Sequence, residues 1–392
     1  MISTTPAVLF IGLRRPSLEW KAEIEAALSR DHDVLVHSDA SLNQTGLPEE
    51  QIANFSWADS VEEIAAQSIV RMRAAGRLPA SVVCWGDRYV GITAVIAEAL
   101  GLRGVGVQAA LVCGDKAAQR RVLDPHGLNP AWRCGTTAEE LRTAIDQLGS
   151  PLIFKLAHSS GGKGAALINE RTDLDALLAA TKSNYIDSSA FVVERYVEGS
   201  EHSVTGLVRD GEVVTLAVAD KFLDEAGLST VATLVPSALA PQTAVRLHEA
   251  ARTAVQAVGI QDGGFHVDLR LGPDGPVVLE VGARLGGDLI NSHLVPLATA
   301  GRIQPYRELL GVLNGEPLPE QAPATAKAAM IIIPVPEGRV ETALERAAGH
   351  PLFTVATDWT NPGKPAIAVV VTVLDNDEVP AVAKDLRAWI EA

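Results

Sequence analysis

Short apolar runs separated by amphipathic stretches fill the first 110 residues: AVLFIGL, EWKAEIEAALSR, DVLVHS, a helical pattern over 60–75, SVVCW and another over 91–100. The aliphatic runs read as buried strands and the stretches between them carry apolar positions at helical spacing, so the alternation predicts a parallel sheet wrapped by helices. GVGVQA at 104–109 fits the loose glycine pattern of dinucleotide folds. It follows a predicted helix, with no acidic residue in the expected context, and is set aside. From about residue 111 the texture changes: Asp115 and Lys116 open a helix through Leu123, and a second helix is expected over 137–148. Residues 151–208 read as strand, glycine-rich turn, strand, helix, strand, hinge, strand, and 265–281 as a β-hairpin. From about residue 326 the order is strand, helix, strand, helix, after the linker-like GEPLPEQAPATA at 315–326. The expected class is α/β in three units, 1–110, 111–320 and 321–392, with α+β character in the middle one.

Composition narrows the chemistry. At 392 residues the chain exceeds one ordinary core, and 47% hydrophobic with 21% charged residues excludes disorder and fibrous repeats. A formal charge of −15 opposes nonspecific binding to nucleic acid or anionic lipid, so neither nucleic acid nor membrane is expected as a partner. Cys84, Cys113 and Cys134 show no zinc spacing and suit a reducing compartment. The longest apolar runs fall short of the roughly 20 residues of a membrane helix, and residues 1–6 have no signal-like core. A cytoplasmic enzyme is the default, and a homodimer the commonest assembly for one.

Three stretches carry candidate chemistry. Lys155, inside LIFKL, is costly to bury unless an anion meets it, and HSSGGKG follows directly, with glycines able to turn backbone N–H groups toward phosphate. Lys163 is followed by glycine, unlike the common phosphate loop, so the segment reads as a flap between strands or, taken alone, equally as a flexible glycine hairpin. In GGFHVDLRLGPDGPVVLEVGARLGGD, residues 263–288, Phe265, Val267, Leu269 and Leu271 alternate with His266, Asp268 and Arg270. A five-residue loop at 272–276 would set Asp268 opposite Glu280, two like charges about 5 Å apart at Cβ that call for a shared cation, Mg²⁺ first. Arg284 would lie on the same face, able to hold a phosphate or acyl phosphate oxygen; exposed charges on an ordinary hairpin are the plainer reading. In AFVVERYVEGSEHSV, a strand ends at Glu194, and backbone groups of 195–197 could read a flat heterocycle, with Glu201 near ribose hydroxyls. A plain strand connection explains it as well.

Taken in order, Asp115–Lys116, IFKLAHSSGGKGAALI, VVERYVEGSEHSV, HVDLRL and VVLEVGARLGGD resemble the ATP-grasp superfamily. The resemblance implies an ATP-grasp fold preceded by a Rossmann-like domain. Lys116 and Lys155 would contact ATP phosphates beneath a loop containing Ser159, Ser160, Gly161, Gly162 and Gly164. Glu194, Arg195, Tyr196 and Val197 would form the adenine hinge, with Glu201 at the ribose and Lys221 near nucleotide or substrate. Asp268 and Glu280 would ligate Mg²⁺, or Mn²⁺ in its place; Arg284 would stabilise an acyl phosphate; and His266, Gly286, Gly287 and His293 would line the substrate region. Asp268 stands where the family usually has Glu, and Gly282 where it often has Asn. Within the superfamily, EVGARLGGDLINSHLVPLATAGRI and the stretch 219–239 look most like the L-amino-acid ligases. The reaction implied is carboxylate–amine ligation through an acyl phosphate, with small-molecule acid and amine as partners; a carboxylase, a formyl-transferring enzyme or a non-catalytic ATP sensor are the alternatives.

Overall fold

The first apolar runs pair in parallel around the central strand Ala7–Ile11, with Asp33–Ser38 on one side and Ser81–Cys84 on the other. A short strand unforeseen from the sequence, Ile52–Asn54, adds the far edge beside Asp33–Ser38. Strand side chains alternate between faces, so the sheet needs two covers. Leu9, Ile11, Leu35 and Val82 pack under the helices Val61–Ala74 and Val90–Leu100. Val8, Phe10, Val34 and Val36 pack under Ser17–Leu28 and, from far along the chain, Pro305–Leu313. The computed structural model describes residues 6–39, 45–159, 161, 164–181, 189–361, 363–373 and 378–391. Among them no helix is long and apolar enough to cross a membrane.

Two antiparallel sheets follow. The smaller orders Trp132–Gly135, Phe191–Arg195, Leu152–Leu156 and Ala165–Ile168. Leu152, Phe154 and Leu156 face the core beneath the helices Ala138–Leu148 and Leu174–Ala180, which leaves Ile153 and Lys155 on the opposite face. The larger sheet has eight strands: Gly275–Gly282, Gly263–Gly272, Ser200–Arg209, Glu212–Leu223, Thr230–Val235, Lys327–Pro334, Ala366–Val373 and Phe353–Asp358. The C-terminal residues therefore extend this sheet, and Phe353–Asp358 is a strand beyond the expected strand–helix–strand–helix order.

In the hairpin of Gly263–Gly272 and Gly275–Gly282, Asp268 pairs with Glu280, for a different reason from the one the sequence suggested. The expected five-residue loop is absent: the ladder closes at Gly272 and Gly275, so only Pro273 and Asp274 turn. That register alone would set Asp268 opposite Leu279. A bulge between Asp268 and Leu269 inserts one extra residue on the returning strand and brings Glu280 across.

Two glycines contrast the link between the small and large sheets with an ordinary hairpin turn. Gly199 has φ +139°, and a Cβ there would strike the Leu271 carbonyl. Gly211, in the Asp210–Gly211 turn, has φ +78° with open space around it. Gly199→Ala is expected to cost about 3 kcal/mol, through both strain and backbone collision, whereas Gly211→Ala costs about 1 kcal/mol through φ alone. Urea unfolding of both variants measures the difference.

Candidate active site

Lys155 meets its anion within the chain. Its Nζ donates to Glu194 Oε2 at 2.8 Å and to the Leu279 carbonyl at 3.3 Å. Arg120 donates to the other Glu194 oxygen at 2.6 Å and to the Val278 and Leu279 carbonyls at 3.0 and 2.6 Å. Glu194 is 2% exposed and Arg120 1%, so this triad is desolvated and ties the small sheet to the bulged hairpin strand. Burial pushes the Lys155 ammonium below its ordinary value against the pull of Glu194, and the two cations hold the Glu194 carboxyl low despite its own burial.

Gln119, one residue before Arg120, receives the Val281 N–H at 2.8 Å and donates to its carbonyl at 3.1 Å, which satisfies the open edge of that strand. The same helix, Lys116–Leu123, begins with Asp115 capping Ala117 N–H. Its first residue, Lys116, donates to Glu280 Oε1 at 2.9 Å and to the Ser159 carbonyl, joining the start of the glycine flap to the hairpin.

Asp268 has a different counter-charge. Lys221 at 2.7 Å, Ser203 Oγ at 2.8 Å and His266 Nε2 at 3.1 Å converge on its Oδ1. The Lys221 ammonium beside it holds the buried Asp268 carboxyl well below the usual range, and Lys221 is raised in turn. The two opposed acids are thus each neutralised by a separate lysine. Among the described residues no group of three or more His, Cys, Asp or Glu could hold a metal. Two carboxylates on adjacent strands fit Mg²⁺ held chiefly by water and phosphate oxygens, and do not fit an all-protein cage.

Arg284 lies just beyond the hairpin. Its guanidinium donates to Asp87 from the parallel-sheet domain and to the Leu285 carbonyl at 3.1 Å. Gly282 explains itself here, because a Cβ would come within 3.2 Å of the Asp87 carboxylate. Gly286 likewise lies against the His266 ring, where no side chain fits, while Gly287 is open.

The expected site residues do not all serve as expected. The Glu194 side chain is committed to Lys155 and Arg120. Arg195 turns away to the Leu148 carbonyl at 2.6 Å. The N–H groups of Arg195 and Tyr196 are given to the Ala131 and Pro151 carbonyls, so neither is left to read a purine. Glu201 accepts from Arg270 at 2.8 Å, and Arg270 also donates to the Val197 carbonyl at 3.1 Å, which fixes the hinge. His293 sits near the acids of the Ser17–Leu28 helix, where burial keeps its imidazole below its ordinary value. The Ser159 hydroxyl is turned inward to the Leu156 carbonyl, and Gly161 and Gly164 have φ of +63° and +70°. Ser160 and Gly162 lie outside the described residues. Asp87, Gln119 and Arg270 escaped the sequence reading. Arg270 had a signal, the polar alternation His266, Asp268, Arg270, and Asp87 stands just past the end of a parallel strand, the usual place for ligand contacts in such sheets.

Comparison with known proteins agrees with this geometry. Residues 148–292 match the model of the ATP-grasp domain. That stretch is similar to an ATP-grasp domain. It is similar to alanine–anticapsin ligase of Bacillus subtilis (strain 168), 26% identical over 290 residues, covering 67% of this chain and 61% of that protein. Carnosine synthase 1 of Gallus gallus is 28% identical over 293 residues, 69% of this chain and 31% of its own. The L-amino acid ligase of Bacillus licheniformis superposes with a TM-score of 0.78 at 21% identity over 98% of each chain, so the ATP-grasp architecture extends across both flanking units. The chain spans about six-tenths of the length of the alanine–anticapsin ligases it matches. Its resemblance to carboxylate–amine ligases of the L-amino-acid ligase kind therefore rests on motifs, relatives and fold together.

Removing Glu194 leaves two buried cations facing each other. Glu194→Ala is expected to cost about 3–5 kcal/mol in denaturant unfolding. Glu194 and Asp268 both have depressed folded values, so the stability they contribute is complete above about pH 4.5 and is lost as the pH falls through those values. Unfolding midpoints measured downward from pH 6 should show this fall, reduced in Glu194→Gln.

Proposed function

We propose that the chain is an ATP-dependent carboxylate–amine ligase that joins an amino acid or related small acid to an amine through an acyl phosphate, releasing ADP and phosphate. The observation that carries the reading is the opposed Asp268–Glu280 pair, with Lys221 and Lys116 on its two acids and Lys155 anchored beside it at Leu279. Three ammonium groups brought to two carboxylates of one bulged hairpin make a place where phosphate charge can be met. When nucleotide phosphates enter, Lys116 and Lys155 are the ammonium groups that can meet phosphate oxygens and offset part of the charge that they bring. Bound Mg²⁺, or Mn²⁺ in its place, would be held by Asp268 and Glu280 and would withdraw charge from the transferring phosphoryl group.

Chemistry of this kind asks the protein for position and electrostatics more than for covalent help. A carboxylate oxygen attacks the γ-phosphorus and ADP departs; the amine then attacks the acyl carbon, loses a proton and expels phosphate. Arg284, oriented by Asp87, is the group that can hold the developing oxyanion. The flap that begins at Ser159, tied by Lys116 to the hairpin, keeps water from the acyl phosphate. The alanine–anticapsin ligase and carnosine synthase relatives support an amino acid as one substrate.

ADP release measured across pairs of amino acids, with mass spectrometry of the product, tests the reading. An amide whose formation matches ADP release is the expected result; ADP formed with bicarbonate alone, or no ADP from any pair, overturns it. Lys155→Met and Glu280→Gln should each lower ADP formation at least about a hundredfold, while circular dichroism stays that of the parent.

A further inference from the structure

A second buried cluster, outside the site residues named so far, lies where the first helix meets the turn after the hairpin. Arg14 Nη1 lies 2.5 Å from both Glu19 Oε2 and the Tyr306 hydroxyl. Its Nε donates to the Trp85 carbonyl at 2.9 Å and its Nη2 to the Leu285 carbonyl at 2.6 Å. The Leu285 carbonyl is also the acceptor for Arg284 Nη1 at 3.1 Å, so two guanidiniums share one oxygen. Glu19, 1% exposed, accepts the Leu289 N–H at 3.0 Å through its other oxygen.

The turn held in this way is strained. Asp288 and Leu289 have φ of +57° and +53°, and a leucine in the left-handed region is strained, which its surroundings must offset. A π-helical segment, Ile290–Leu294, follows directly, and the Asn291 amide returns to the Gly286 carbonyl at 3.0 Å. Glu23, fully buried beside Arg14 and accepting its backbone N–H at 3.3 Å, is pushed up to about 8 by burial.

We propose that Arg14 and Glu19 are positioning residues: from the first helix and the turn before it they pin the 285–289 turn, and through it the Arg284 guanidinium and the Gly286–Gly287 backbone, against the reacting carboxylate. The catalytic part of this statement rests on the ligase reading; the mechanical part does not. A purely structural lock would stabilise the whole chain and leave substrate handling alone. A positioning lock acts on the acid substrate and spares the nucleotide, whose Lys116 and Lys155 contacts come from other elements.

Glu19→Gln keeps the side chain's shape and removes its charge, and Arg14→Lys keeps charge while losing the fork that spans Leu285, Glu19 and Tyr306. Both are tested for ADP formation, KM for ATP and for the acid, and hydrogen exchange by mass spectrometry of the intact chain. In Glu19→Gln, amides of 285–292 should exchange at least tenfold faster while those of the Leu152–Leu156 strand keep the parent rate; KM for the acid should rise tenfold or more, KM for ATP should stay within twofold, and Arg14→Lys should fall between. Parent-like exchange at 285–292, an equal rise across both regions, or parallel changes in the two KM values would overturn the proposal. Should the parent chain form no ADP with any acid–amine pair, the ligase reading and the catalytic part fall together, and the exchange data still decide whether the lock holds the turn.

Discussion

A buried carboxylate between two cations is the constraint on which the cleft depends. Lys155 stands on one face of an inner strand of the small sheet and Arg120 on a helix, yet Glu194, on the neighbouring strand of that sheet, binds both, and both also donate to hairpin carbonyls. Such an arrangement is costly to assemble in a low-dielectric interior and costly to break singly. It therefore fixes the distance between the small sheet and the hairpin more firmly than apolar packing, which tolerates sliding. The other paired charges, Lys116 with Glu280 and Lys221 with Asp268, are arranged around that fixed distance.

Asp268 and Glu280 are each matched to a different lysine, while Glu194 serves Lys155 and Arg120 together. This separation matters because Asp268 and Glu280 lie across from each other and would otherwise repel. Asp87 extends the same logic from the parallel-sheet side, where it meets the Arg284 guanidinium. Gly282 and Gly286 are small because Asp87 and His266 occupy the space a side chain would need.

Much of the fold was legible in the residues, and the places where it was not have physical causes. Aliphatic runs located three of the four strands of the parallel sheet, since burial on both faces leaves no alternation to misread. The pairing of Asp268 with Glu280 was reached with the wrong turn: the two-residue turn and the bulge shift the register in compensating directions, and a bulge leaves almost no trace in composition. Asp210–Gly211 between apolar runs was a usable hairpin signal, and it would have located the long strand pair Ser200–Arg209 and Glu212–Leu223. The roles of Glu194 and Arg195 were not readable, because which side of a strand end a side chain takes is decided by partners distant in sequence, Arg120 and Leu148. Asp87 and Arg14 belong to the same class, contacts made across nearly two hundred residues or more.

The helix Pro305–Leu313 lies on one face of the N-terminal parallel sheet, covering Phe10 and Val36 from almost three hundred residues away. A fragment ending near residue 110 would thus cover that face with the Ser17–Leu28 helix alone and leave the place of the second helix open. Swapping the N-terminal unit between relatives therefore requires that helix to be exchanged along with it.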